Sequence, residues 1–330
     1  MPIPREIVPS EIRFPTFLFP FIPWVSAEDM VVTGGCTEAL SLSLKAVAGP
    51  GDTVMVESPA DPWLRQTIKD SNMYALEIPT HPDRGIDLGC VEKALSRGKI
   101  SSCILNANCQ NPLGFIMPED HKKKVVDLIC GKNIPIIEND VCGELYFGDF
   151  RPNPLKRWDT RGMVLYCSSF SKVLAPGLRL GWVLPGRYME KVKRMKLNRS
   201  LISPKLNQVL VGSYLKGGGY PRHLRRLRRI IKLQHSYCAR AVTNHFPETM
   251  KMTSPSGGLC LWIELPKGVK GRDVYHGARK MGISILPGFL CTSFDTFDRH
   301  IRIGYGGVWG QTQDKALERI GDMVNKMMGR

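Results

Sequence analysis

The chain lacks any Cys-x-x-Cys pair although it holds ten cysteines, so neither a disulfide nor a zinc framework is written into it. Several of those cysteines (Cys103, Cys167, Cys260) sit inside apolar runs. That is the pattern of reduced core thiols and of a cytoplasmic protein. No apolar run reaches membrane-spanning length, which excludes a helical span and a membrane partner. The first 24 residues lack the basic start and cleavage pattern of a signal peptide. Internal repeats and low-complexity tracts are also missing. Acidic residues are scarce, 30 against 46 lysines and arginines, leaving a net charge of +16. Such an imbalance points to anionic partners: phosphorylated ligands, carboxylates or nucleic acid.

What is present is enough for a folded core. A length of 330 residues with 43% hydrophobic content suits two subdomains. Residues 1–28 have no helical period and are broken by Pro2, Pro4, Pro9, Pro15, Pro20 and Pro23, with Phe14, Phe17, Phe19 and Phe21 among them. They are set apart as an atypical N-terminal segment. From Met30 strand and helix patterns alternate. Strands are expected at Met30–Thr33, Thr53–Glu57, Ser102–Leu105, Pro135–Glu138 and Met163–Tyr166. Helices are expected at Thr37–Val47, Trp63–Ser71, Leu88–Ser96 and Glu119–Cys130. This alternation predicts a mostly parallel sheet covered by helices, with ligands at the carboxyl ends of its strands. After about Pro204, long helices lead to strands at Leu259–Glu264, Ser284–Leu286 and Ile301–Ile303, a smaller α/β unit. The expected division is a large domain over 29–204 and a small one over 205–330.

The sharpest basic run, Arg222 to Ile231, places Leu224, Leu227 and Ile231 at helical spacing and arginines on the outer face. A solvated helix face accounts for it. No winged-helix or other recognition pattern accompanies it, so direct DNA reading by this chain is weakly supported.

The chemistry concentrates in Ser168-Ser169-Phe170-Ser171-Lys172, followed across a Pro-Gly turn by Arg179. A lysine among small hydroxyl residues at a strand end can be desolvated, making its amine a nucleophile for an aldehyde. The hydroxyls and Arg179 suit a phosphate dianion. Amine and phosphate cradle together are what pyridoxal 5'-phosphate requires. Ser169 to Lys172 also reads Ser-x-x-Lys, the acylating motif of penicillin-binding proteins and β-lactamases. The Ser-Asp-Asn and Lys-Thr-Gly strings that accompany it there do not occur.

Upstream, Thr33-Gly34-Gly35-Cys36-Thr37 reads as a strand, a glycine turn and a helix start whose N–H groups can receive a phosphate. Asn111 lies in Asn108-Cys109-Gln110-Asn111-Pro112-Leu113-Gly114 after a strand. Asp140 ends the buried strand Pro135–Glu138, and Arg302 lies in His300-Ile301-Arg302-Ile303-Gly304.

These motifs, in this order, resemble the fold-type I, class I/II aminotransferases over about residues 29–326. In detail the chain is similar to the aminotransferase-like domain of MocR-type members of the GntR regulators. The resemblance implies an α/β protein of the pyridoxal phosphate-dependent transferase fold type I, with a large mostly parallel sheet and a smaller C-terminal α/β domain. It implies a Schiff base on Lys172 and phosphate contacts from Gly35, Cys36, Thr37, Ser169 and Arg179. Asn111 would donate to the cofactor's phenolic oxygen, Asp140 would pair with the pyridine nitrogen, and Arg302 would hold the substrate α-carboxylate. Transamination between an amino acid and a 2-oxo acid, in a homodimer, follows from it. So does the alternative, an effector-sensing domain with little turnover, meeting DNA only if a winged helix is supplied upstream.

Two positions depart from the pattern. A tyrosine that assists the phenolic oxygen is here Cys142, and the aromatic residue that covers the ring falls at Asp61, with Trp63 nearby. The N-terminal arm and the winged helix of the relatives have no recognisable counterpart in residues 1–28. Truncation and an altered reading frame both stay open as its origin. Together the departures favour cofactor binding over efficient turnover.

Overall fold

A computed structural model describes residues 21–22 and 24–329; most of the N-terminal segment, with Phe14, Phe17 and Phe19, lies outside the described residues. The elements in chain order are β1 (Val31–Thr33), α1 (Cys36–Val47), β2 (Thr53–Ser58), α2 (Pro62–Asp70), β3 (Tyr74–His81), β4 (Gly85–Ile86), α3 (Leu88–Arg97) and β5 (Ile100–Leu105). Then come α4 (Glu119–Gly131), β6 (Ile136–Asn139), β7 (Val164–Ser169), β8 (Gly181–Leu184), α5 (Met189–Ser200), α6 (Lys205–Lys216) and α7 (Gly219–His245). The chain continues through β9 (Lys251–Met252), β10 (Cys260–Glu264), α8 (Gly271–Lys280), β11 (Leu286–Pro287), β12 (His300–Gly304) and α9 (Gln311–Met327).

Eight strands form one sheet in the order β1-β8-β7-β6-β5-β2-β3-β4. Its interior pairs, β7-β6-β5-β2-β3, are parallel, whereas β8 runs antiparallel to both β1 and β7. The apolar runs of the parallel strands follow from burial on both faces. On β2, Val54 and Val56 face α1, joining Ala39, Leu40, Leu44, Ile104, Ile137 and Leu165. Met55 points to the other face, with Cys103, Leu105, Val125, Ile129 and Ile136. Helices therefore cover both sides, as the alternation predicts.

A second sheet, β11-β12-β10-β9, is antiparallel throughout. Its apolar face (Leu261, Ile263, Ile301, Ile303) joins α7, α8 and α9 through Cys238, Val242, Val274, Ala278 and Ile320. The strand expected at Ser284–Leu286 is instead the two-residue Leu286–Pro287. Among the described residues no helix is long and apolar enough to cross a membrane, and no cluster of His, Cys, Asp or Glu could hold a metal. All ten cysteines are free thiols.

Candidate active site

At the carboxyl end of β1 the chain turns into α1 through Gly34 and Gly35, and Thr33 Oγ1 donates to the Gly35 carbonyl at 2.9 Å. Gly35 has φ 118°, and a Cβ there would stand 2.8 Å from Arg179 Nη2. Only a glycine leaves the guanidinium that room. Arg179 itself is left-handed (φ 46°) and follows the short turn Pro176–Leu178. No side chain caps the N-terminus of α1. Its first N–H groups and the Arg179 fork thus converge on one spot, and Arg179 has no ion-pair partner among the described residues.

Ser169 ends β7, and Ser169 Oγ accepts from the Ser171 N–H at 3.3 Å. Between the serines, Phe170 is fully buried, its ring 4.9 Å from Trp182 and 6.1 Å from Tyr220. That anchor holds the loop down while Lys172, two residues on, is exposed. The desolvation expected for this lysine is not supplied by the single chain. Its charge still reaches the site: burial pushes the Cys142 thiol up to about 12, and Lys172 works against that rise.

Asp140, at the end of β6, is buried and receives three donors. Asn108 Nδ2 donates to Oδ1 at 3.0 Å, while Arg151 Nη2 and Tyr166 Oη donate to Oδ2 at 2.5 and 2.9 Å. An ionised carboxylate has about four acceptor positions, so about one stays open. Burial works against the Arg151 cation, but Asp140 and Glu144 outweigh it and hold its pKa well above the usual arginine value. The Phe21 ring lies over the same guanidinium, 3.7 Å from its Cζ to the ring centroid.

The remaining residues join β12 to the loop after β5 and to the start of α2. Arg302 on β12 donates from Nη1 to Asn111 Oδ1 at 2.7 Å. Asn111 Nδ2 donates at 2.5 Å to Asp61 Oδ2, not outward as expected for a contact to a phenolic oxygen. Asp61 Oδ1 caps α2 by accepting from Trp63 N–H at 2.9 Å. Trp63 lies on the other side of this cap, lining a cavity of about 420 Å³ with Thr37, Lys45, Arg179 and Arg199. Cys260 Sγ, 3.8 Å from Asn111 Oδ1, joins the cluster. Cys36 Sγ lies 3.4 Å from Asn139 Oδ1, beside Asp140, and burial raises its thiol pKa.

Gly35, Cys36, Thr37, Ser169 and Arg179 thus surround one anion-attracting turn, with Lys172 following Ser169 on the same loop. Asn111 and Arg302 form a second group, and the buried Cys142 thiol feels charge from both Lys172 and Asp61. The turn fits a phosphate, since it offers uncapped N–H groups and a guanidinium seated where a Cβ would be. Sequence reading missed Arg151, Tyr166 and Asn108. Tyr166 carried a signal, because a hydroxyl inside an apolar strand needs a partner when buried. Arg151 carried none, being a loop arginine before a proline.

The class I and II aminotransferase family model matches residues 21–320. The chain is 39% identical over 304 residues to the uncharacterized HTH-type transcriptional regulator YjiR of Escherichia coli (strain K12), covering 92% of this chain and 65% of that one. It is 29% identical to the 2-aminoadipate transaminase of Thermus thermophilus, covering 92% and 77%. Among solved structures, LysN, the α-aminoadipate aminotransferase of Thermus thermophilus complexed with N-(5'-phosphopyridoxyl)-L-leucine, superposes with a TM-score of 0.89. That match has 27% identity and covers 97% of this chain and 82% of LysN. The chain spans about two thirds of the length of the regulator it matches.

Proposed function

Because the chain belongs to the class I and II aminotransferase family, we propose that it binds pyridoxal 5'-phosphate and transfers an amino group between an amino acid and a 2-oxo acid. The observation that carries this reading is the pairing of the uncapped α1 N-terminus with Arg179, beside the loop that presents Lys172. When bound, the cofactor supplies an aldehyde for an amine and a ring that withdraws electrons from the substrate α-carbon.

The chain's own groups do the rest. The N–H groups of Gly35, Cys36 and Thr37, with Ser169 and Arg179, hold the phosphate. Lys172 Nζ would hold the cofactor through its aldehyde, and the same amine is the group placed to carry a substrate α-proton. Asp140 would hold the pyridine nitrogen through its remaining acceptor position, and Arg151 Nη2 braces that carboxylate by donating to Oδ2 at 2.5 Å. Cys142 stays protonated through burial and is a weak donor near the phenolic oxygen. The four N–H donors of Arg302 that find no partner among the described residues suit a planar α-carboxylate.

A homodimer is part of the proposal. It is supported by the exposed apolar residues Leu201, Ile202, Leu206, Val209 and Leu210, on α6 and the segment before it, and by the openness of Lys172. The ten free thiols support a cytoplasmic location.

A second reading, an effector-sensing domain of a regulator, is favoured by the 39% identity to an HTH-type regulator longer than this chain. It keeps the cofactor and drops the turnover. One experiment serves both. The purified protein with added cofactor should absorb near ~420 nm, and Lys172→Ala should abolish the band. Amino acids added to the native protein then separate the readings: sustained 2-oxo acid release supports the enzyme, and a spectral change without release supports the sensor. A native chain with no band rejects both.

A further inference from the structure

Arg302 and Lys172 give the substrate side of the site two positive charges, and Asp61 sets a negative one among them. One amide joins carboxylate to guanidinium: Asp61 Oδ2 accepts from Asn111 Nδ2 at 2.5 Å, and Asn111 Oδ1 accepts from Arg302 Nη1 at 2.7 Å. The field of Asp61 reaches Cys142 and Cys260, two thiols that also feel Lys172. Its carboxylate therefore shares their space. A helix cap needs only one oxygen, and Oδ1 serves it. Asp61 is half-buried, and each oxygen has one N–H donor, so both keep acceptor capacity for a ligand.

In the proposed function Lys172 is taken by the cofactor, and the neighbouring Arg65 is not free for a second carboxylate. Arg65 is already held by Glu77 at 3.1 Å, by the Leu290 carbonyl at 2.9 Å and by Ser293 at 2.6 Å. A ligand whose α-carboxylate sits on Arg302 thus meets Asp61 as the uncommitted charge around it.

We propose that Asp61 is a specificity-determining residue that makes the site select amino donors with a second cationic group, such as a diamino acid, and disfavour dicarboxylic ones. The inference rests on the proposed function and names the substrate class of that site. An ammonium beyond the α-carbon gains a charge-assisted hydrogen bond from Asp61, whereas a side-chain carboxylate in its place is repelled.

The test compares ornithine and glutamate, which are close in length and opposite in side-chain charge, on cofactor-loaded protein. Affinity is read from the cofactor's absorbance change and, independently, by calorimetry. Native protein should bind ornithine at least about tenfold more tightly than glutamate. Asp61→Asn and Asp61→Ser should each erase that preference while leaving the thermal midpoint within about 2 °C, because both residues cap a helix as aspartate does. Either variant alone decides the matter if the other does not fold. Native protein that binds glutamate as tightly as ornithine overturns the inference. So does a preference that survives in the variants, since Asp61 is then a helix cap only. These outcomes leave the cofactor band intact. Protein that never takes up the cofactor overturns the proposed function, and this inference with it.

Discussion

Around Asp140 the chain supplies three donors to one buried carboxylate, whereas around Lys172 and Arg179 it leaves two cations exposed, without ion-pair partners among the described residues. The first region is finished by folding but for the one acceptor position that Asp140 keeps for the cofactor in the proposed function. Its groups sit under Phe21 and behind β6 and β7, where an unpaired charge is costly. The second is finished only by what binds there. Arg179 is aimed by its backbone and by the Gly35 turn rather than by a counter-ion, so its guanidinium stays free for an anion. The contrast teaches where stability and function separate: substitutions in the first region should unfold the chain, and those in the second should spare it.

Arg151→Met is the strongest way to break that contrast. It keeps bulk under Phe21 but strands Asp140 as a buried carboxylate, and should cost ~3–5 kcal/mol in a urea titration. A loss below about 1 kcal/mol would mean that Asn108 and Tyr166 suffice. Arg179→Gln probes the other region. Cofactor affinity should fall by about 10–100-fold, the equivalent of charge-assisted hydrogen bonds to a phosphate, while unfolding stability moves by no more than about 0.5 kcal/mol. A large loss of stability would erase the distinction between the two regions.

Glu57 sharpens it at a smaller scale. Burial pushes its carboxyl up to about 8 from 4.5, although Glu57 Oε2 accepts from Asn106 N–H at 2.8 Å. Between those values the folded protein keeps a proton that the unfolded chain has released, so stability falls as pH rises through that window. Glu57→Gln removes that slope. The amide's own burial offsets part of the benefit, and a gain of ~1 kcal/mol at pH 8 is expected from melts at pH 5 and pH 8. Parallel melting curves for the two proteins across that range would show that Glu57 titrates normally.

Features that depend on neighbours in sequence were legible before any coordinates. The Gly34-Gly35-Cys36-Thr37 turn starts a helix with a clear apolar period, and Lys172 and Arg179 lie on one loop. The parallel strands announced themselves as apolar runs because both their faces are covered. β3 did not, since it contains Pro79 and the buried Glu77, which Ser58, Thr292 and Ser293 satisfy at 2.6–2.8 Å from distant parts of the chain. α5 was silent because it buries little beyond Val192 and Lys196. The Asp61–Asn111–Arg302 chain joins residues 50 and 191 positions apart, and Asp61 by itself read only as a missing aromatic. Long-range polar pairing of that kind leaves no periodicity to detect.

The phosphate turn has a consequence for which sequences can carry it. A Cβ at Gly181 would fall 2.6 Å from the Gly35 carbonyl carbon and 2.7 Å from the Ser168 carbonyl oxygen, and one at Gly35 would meet Arg179. β8 and the turn are thus in backbone-to-backbone contact, with no side chain to trim and no rotamer to change. At the exposed Thr37, by contrast, the backbone N–H is the proposed contact, and the side chain can vary without removing it. In a library of variants, tolerance should therefore change abruptly between nearby codons: permissive at the exposed position 37, closed at 35, and closed again at 181, a position that touches no ligand at all.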